Sequence, residues 1–348
     1  MLKDAVIMGG DLMMKFREDR KIDLICLGRA AIDFNPIDYN RPLNESTTFK
    51  KYIGGSPANI AIGLARLGKK VGFIGKLSKD QFGKFIYDGF EAESIDTGSL
   101  SYAADNEKTG LTFTEILDEN TSSILMYRHN VADLRLDPVD VDESYVASAK
   151  ALLISGTSLA ESPSREAALK AMTYAKKHDV RLIFDIDYRP YNWKSQDEIS
   201  IYYSLLAHQA DLIMGSREEY DLTERLIFDD SDDIKSSEYW LKQKASIVVI
   251  KHGKKGSTAY TGNGEQFNIK PFPVKALKGF GGGDGYAAAF IFGLLEGKSI
   301  IDCLEMGSAE AAMLVASHAC SADMPSLQEL EEFIKKTKEE YGEMIARE

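Results

Sequence analysis

Short apolar runs recur along the chain, at Ile22–Leu27, Val71–Gly75, Ala151–Ser155, Val180–Ile186, Asp211–Met214 and Ser246–Ile250, with helical patterns between them. Alternation of this kind predicts parallel strands, buried on both faces and joined by crossover helices. Ser56 with Pro57, and again Ser162 with Pro163, read as a helix cap followed by the first helical residue, and Gly68 reads as the stop of the first of these helices. Ala287–Leu295, interrupted only by Gly293, reads as a buried helix, and the charged tail Ser326–Glu348 as a solvated one. Two stretches break the rhythm. Phe34–Ile53 is polar and turn-rich, and Leu100–Arg128 holds two strand-like runs, Leu111–Leu117 and Ser123–Arg128, joined by the turn residues Asp118, Glu119, Asn120 and Thr121. The expected organisation is an αβα core of residues 21–33, 54–99 and 129–348, a small β-sheet lid of residues 34–53 and 100–128, and an N-terminal extension, residues 1–20. A lid so placed would cover a site at the carboxyl ends of the core strands.

Composition narrows the function. Of 348 residues, 54 are acidic and 42 basic, and the net charge of −12 argues against a nucleic-acid partner. No apolar run approaches the roughly 20 residues of a membrane helix, and charges interrupt residues 1–20 too often for a signal-peptide core. Cys26, Cys303 and Cys320 lack the spacing of a zinc site or a disulfide framework, which suits a reducing cytoplasm.

The most unusual local feature is Lys278-Gly-Phe-Gly-Gly-Gly-Asp-Gly-Tyr-Ala-Ala-Ala-Phe290, a glycine loop entering a helix of small and apolar residues. Gly281, Gly282 and Gly283 let backbone N–H groups approach a ligand closely, and a helix N-terminus adds free donors and partial positive charge. Together they suit a phosphate, or the charge that develops while one is transferred. Asp284, ionised at neutral pH, is placed to orient an attacking hydroxyl and take its proton late, as a loose phosphoryl transition state requires. The same residues also suit a tight turn followed by a helix cap. The run completes neither a P-loop nor a dinucleotide fingerprint, because no GxxxxGK[ST] occurs and Tyr286 stands at the third glycine position. The first strand is followed by Gly28-Arg-Ala-Ala-Ile-Asp33, which disfavours a nicotinamide-dependent dehydrogenase.

Gly281-Gly-Gly-Asp284 resembles the GAGD signature of the ribokinase-like (PfkB) carbohydrate kinases, and Gly54-Gly-Ser-Pro-Ala-Asn59 resembles that family's N-terminal glycine motif. The resemblance runs from about Ile22 to Pro325 and implies an α/β fold, a ribokinase-like αβα sandwich around a mainly parallel sheet with a small β-sheet lid. It also implies ATP with Mg²⁺, room for a monovalent cation, and γ-phosphoryl transfer to a primary hydroxyl. On that pattern Asp284 is the base, Gly281–Gly283 form the anion hole, and Asp33, Gly55 and Asn59 hold substrate hydroxyls, although Asp33 also reads as a turn residue and Asn59 as a cap. Further segments, among them Met126–Asp133 and Asp185–Trp193, resemble the branch that acts at the 6-hydroxyl of 5-dehydro-2-deoxy-D-gluconate.

Arg128 and Arg189 fall where relatives engage a carboxylate, which a guanidinium can bind with two parallel hydrogen bonds; the alternative is a pair of surface arginines with stems on the core. Ser216-Arg-Glu-Glu219 is an altered form of the family's NxxE, leaving Glu219 to organise Mg²⁺ through its water and putting a nucleotide contact by Ser216 in doubt. Lys251, Gly253, Gly256, Ala311 and Ala312 are expected beside the nucleotide, Lys278 beside the triphosphate or the acidic substrate, and His252 in a structural role. Gly285, where relatives carry another small residue, is expected to loosen the backbone. The partners expected are the sugar acid, ATP and a second copy of the chain paired through the lid. The alternatives are a 2-dehydro-3-deoxygluconokinase, a fructokinase-like enzyme, or an inactive sugar or nucleotide sensor.

Overall fold

In the first strand Leu24 and Cys26 face one side and Ile25 and Leu27 the other, and all four are shut off from solvent. Such a strand needs a layer on each face, and the fold supplies both. The computed structural model describes residues 14–118 and 121–346. The strands run β1 (Ile22–Leu27), β2 (Ala31–Pro36), β3 (Phe49–Gly54), β4 (Val71–Leu77), β5 (Asp96–Tyr102), β6 (Leu111–Ile116), β7 (Ser122–Tyr127), β8 (Ala149–Ser155), β9 (Arg181–Asp185), β10 (Leu212–Ser216), β11 (Ile247–Lys251), β12 (Ser257–Thr261), β13 (Gln266–Ile269) and β14 (Ile345–Ala346). The helices are α1 (Ser56–Arg66), α2 (Gln81–Ala92), α3 (Glu143–Ala147), α4 (Ser164–Lys177), α5 (Gln196–Ala207), α6 (Arg217–Glu224), α7 (Asp233–Gln243), α8 (Gly282–Leu295), α9 (Ile300–Val315) and α10 (Leu327–Tyr341).

Ten strands form the main sheet in the order β14-β13-β12-β11-β10-β9-β8-β1-β4-β5, parallel from β11 to β5 and antiparallel beyond β11. Helices α1, α2, α8, α9 and α10 cover one face and α3 to α7 the other. The chain steps outward through β4 and β5 on one side of β1 and through β8 to β11 on the other, so the strand order reverses beside β1, where open α/β sheets bind ligands.

The lid is a four-stranded sheet, β3-β2-β6-β7, with β2 and β6 parallel. It begins at Ala31 rather than Phe34, so Asp33 is a strand residue and not a turn. Leu100–Tyr102, expected in the lid, belongs to β5 of the main sheet. The hairpin β6–β7 forms as the turn chemistry predicts, although Glu119 and Asn120 lie outside the described residues.

Two helix starts differ from the pattern. Gly55, at φ +99°, precedes α1, and Ser56 turns its hydroxyl away to donate to Asp185 at 3.0 Å. Pro163 precedes α4 after a cis Ser162–Pro163 bond, while Ser162 donates to Glu166. The tail helix α10 buries Leu330 and Thr337, and the chain then adds β14 to the sheet edge. Of the N-terminal extension, residues 1–13 lie outside the described residues, while Met14 is buried in the core.

Candidate active site

The parallel strands end level with one another. Ser155 is in register with Asp185 across β8 and β9, and Ser216 with Lys251 across β10 and β11. Above this rim lies a cavity of about 980 Å³ whose wall includes Asp185, Asp187, Arg189, Ser216, Glu219, Lys251, Gly253, Gly256, Lys278, Ala311, Ala312 and the whole Gly281–Asp284 turn, with Ile124 of the lid at its edge. Most residues expected to meet a nucleotide or the transferred group therefore share one space.

The glycine loop is fixed from two sides. Gly281 takes a left-handed conformation, φ +85°, and a Cβ there would strike the Cys320 sulfur, so both conformation and space demand glycine. Gly285 does not loosen the backbone as expected. Its missing side chain admits α9, with Leu314 Cδ1 2.5 Å from where a Cβ would stand. Asp284 occupies the first turn of α8 and accepts a hydrogen bond from Asn59 Nδ2 at 2.7 Å. Burial and the nearby Asp187 raise its pKa, against the opposing pull of Asn59, Arg189 and Ser56. The result is a carboxylate with more basicity than one in water, aimed from the positive end of a helix.

Beneath the lid lies a charge cluster. Arg128 is buried and pairs with Asp133 at 2.7 Å while donating to the Thr157 carbonyl. Arg189, about 30% exposed, pairs with Asp187 at 3.0 Å. Buried Arg29 has its pKa lowered by burial and by Arg128 and Arg189, and raised in part by Asp187 and Asp133. Among the described residues, Nε of all three arginines and Nη1 of Arg128 lack a hydrogen-bond partner. Asp33 points from β2 into this field, its pKa raised by burial against the effect of Arg29 and Thr112. Burial pushes Asp185 up to about 7; Lys251 opposes the rise, while Asp187, Glu219 and Asp284 add to it.

A sequence model of the pfkB family carbohydrate kinases matches residues 21–327. The chain belongs to that family. It is 64% identical to a 5-dehydro-2-deoxygluconokinase of Clostridium botulinum (strain Eklund 17B / Type B) over 96% of this chain and 99% of that protein. It is 50% identical to a 5-dehydro-2-deoxygluconokinase of Bacillus subtilis (strain 168) over 92% and 98%. Among solved structures it is similar to a putative ribokinase II of E. coli in complex with ATP and Mg²⁺, at 23% identity and TM-score 0.81, covering 90% of this chain and 99% of that one.

Seen as a pfkB kinase, the chain places several expected residues differently. Lys278 belongs to the cavity wall but is almost wholly buried, and its ammonium donates to the Ala319 carbonyl at 2.6 Å. Ser216 and Glu219 cap α6 reciprocally, and the second Glu219 oxygen accepts from Tyr188 N at 2.8 Å. Neither Ser216 nor Glu219 is thus a loose side chain waiting for a ligand. Arg128 is no surface arginine, and it lies outside the cavity wall, as do Asp33, Gly55 and Asn59. His252 pairs with Asp233 at 2.7 Å. Sequence reasoning missed Arg29, Asp185 and Asp187. The signal was present, since all three stand just past or at the carboxyl end of an apolar run, where such folds gather their chemistry.

Proposed function

We propose that the chain transfers the γ-phosphoryl group of ATP to the 6-hydroxyl of 5-dehydro-2-deoxy-D-gluconate, with Asp284 as base and the Gly281–Gly283 amides as anion hole. The hydroxyl oxygen forms its bond to phosphorus while the bond to the β-phosphate oxygen breaks. ADP leaves, and the hydroxyl proton passes to Asp284. The raised basicity of Asp284 suits a late proton transfer, and Asn59 fixes the carboxylate that receives it.

The observation that carries the choice of a sugar acid is the trio Arg29, Arg128 and Arg189. Three guanidiniums face two direct carboxylate partners, Asp133 and Asp187, and keep N–H groups without partners. A substrate carboxylate satisfies both the surplus charge and the unmet donors, which a neutral sugar does not. Asn59 Oδ1, buried and without a partner among the described residues, and the Asp33 carboxylate would hold hydroxyls beside it.

The nucleotide would lie along Lys251, Gly253, Gly256 and Ala312, beside the rim at Ser216. Mg²⁺ would lie on the acidic side of the cavity, where the charges of Asp187, Glu219 and Asp284 add to the rise of Asp185. Asp185 and Glu219 would hold it through its water shell, and the ion would neutralise phosphate charge during transfer.

Three buried cysteines without disulfides suit a cytoplasmic enzyme. Among the described residues no helix is long and apolar enough to cross a membrane. The partner copy would meet the outer face of the lid, where Leu125 and Tyr127 are 44% and 61% exposed beside the Phe34–Phe113 stack.

ATP consumption on a panel of 5-dehydro-2-deoxygluconate, 2-dehydro-3-deoxygluconate, fructose and ribose tests the reading. Turnover confined to the first supports it. Preference for a neutral sugar overturns the carboxylate argument, and nucleotide binding without turnover on any sugar favours a sensor.

A further inference from the structure

Lys278 is among the largest fully buried side chains of the molecule. Its ammonium has one backbone acceptor, the Ala319 carbonyl at 2.6 Å, which also accepts from Ser317 Oγ, and it stands 5.4 Å from the centre of the Phe280 ring. Among the described residues it forms no ion pair. A buried, unpaired ammonium is expensive to keep, and an apolar side chain of the same length would make the fold more stable. Its location shows what the charge is for. Lys278 lies three residues before Gly281, and its Cε is 3.7 Å from where a Cβ on Gly281 would stand. The charge therefore sits beside the glycine turn that, with Lys278 itself, forms part of the cavity wall.

We propose that the Lys278 ammonium is a cation fixed behind the anion hole, which polarises the Gly281–Gly283 amides and neutralises charge gathering on the transferred phosphoryl group, in place of a free alkali-metal ion. The proposal rests on the kinase reading of this site. The carbonyl that binds the ammonium is itself held in place, because Ala319 N donates to Asp323 at 2.7 Å. Burial lowers the pKa of Lys278, while the neighbouring Cys320, Asp323 and Asp33 support the charged form, and an arriving phosphate would support it further. Since the ammonium is held by the Ala319 carbonyl and only the side-chain stem packs beside Gly281, Lys278 is a positioning and electrostatic residue, not a catalytic one.

The test compares the parent chain with Lys278→Met and Lys278→Arg. The parent should turn over equally in potassium, sodium and tetramethylammonium salts. Lys278→Met should keep its KM for ATP, lose about 100-fold in kcat, the scale of one lost anion-hole donor, and melt at the same temperature as the parent or higher. Ethylammonium or potassium ions should restore part of that kcat. Beryllium fluoride should tighten ADP binding to the parent and much less to Lys278→Met, a readout that needs no sugar. A Lys278→Met protein that turns over within twofold of the parent, or a parent that requires an alkali-metal ion, overturns the proposal. If Lys278→Met does not fold, Lys278→Arg and the salt series on the parent decide it: an arginine variant that retains turnover supports a charge role, and one that folds but loses turnover with no rescue by potassium overturns it. Fluoride-tightened ADP binding that is lost in Lys278→Met, in a parent inactive on every sugar, would defeat the proposed activity and leave the Lys278 assignment standing.

Discussion

Asp284 and the arginines make separable demands at the scale of single residues. Asp284→Asn keeps the hydrogen bond to Asn59 only by flipping its amide and loses the proton acceptor, so kcat should fall by 10²–10⁴ with ATP affinity unchanged, read by steady-state kinetics and titration calorimetry. Arg189 is partly exposed and its pair with Asp187 is near the cavity, so Arg189→Ala should raise KM for the acid substrate well above its effect on stability. Arg128→Ala should behave differently. It strands the buried carboxylate of Asp133 and should lower stability by about 3–5 kcal/mol, seen as a drop in denaturant midpoint. These positions also mark the limits of what a sequence reveals. Asp284 announces itself because glycines and small residues surround it. Arg29 looks like an ordinary surface cation in sequence and Lys278 like a lysine aimed at a ligand, and only burial with unmet or solitary contacts shows what they are.

Among the elements, strands of unbroken apolar residues were legible and strands carrying polar residues were not. Ile247–Lys251 reads as a strand because nothing in its middle is polar, whereas Ser257–Thr261 and Asp96–Tyr102 carry serines and threonines that suit a loop equally well. The cap signal at Ser56 misled for a physical reason. Gly55 takes the capping position at φ +99°, which frees the Ser56 hydroxyl for Asp185. The contact between α8 and α9 carries a testable liability. Glu310 is fully buried at that contact, neither carboxyl oxygen has a partner among the described residues, and burial raises its pKa well above the ordinary value. The folded chain therefore binds this proton more tightly than the unfolded chain. Its contribution to stability is fully present below the unfolded pKa of about 4.3 and is lost as pH rises through the folded value. Glu310→Met should remove that loss, so its melting temperature should exceed the parent's by a margin that grows from pH 4.5 upward.

At the scale of the whole molecule, a net charge of −12 surrounds a cleft suited to two anions, and Arg189, Lys251 and the α8 N-terminus set positive charge among its carboxylates. The smaller sheet turns Leu125 and Tyr127 outward, and the proposed pairing of two copies there predicts that the parent is a dimer in light scattering and Leu125→Glu a monomer, with the acid-substrate KM raised if the second copy braces the sheet. The lid is also joined to the core with little slack. Its first hairpin leaves β1 through three residues, Gly28, Arg29 and Ala30, and returns from β3 through Gly55 directly into α1. That helix carries Asn59, whose amide steadies Asp284. On the proposed reading a swing of this sheet would therefore be geared to Asp284 without an intervening flexible loop. On the proposed reading such gearing would guard against waste, because Asp284 would act on the sugar alcohol beneath a drawn-down lid and water would be a poor substitute for that alcohol. Hydrolysis of ATP by the sugar-free protein should accordingly run orders of magnitude below its rate of sugar phosphorylation, and replacing Gly55 with a bulky residue, which would force the Arg29 carbonyl aside, should narrow that gap.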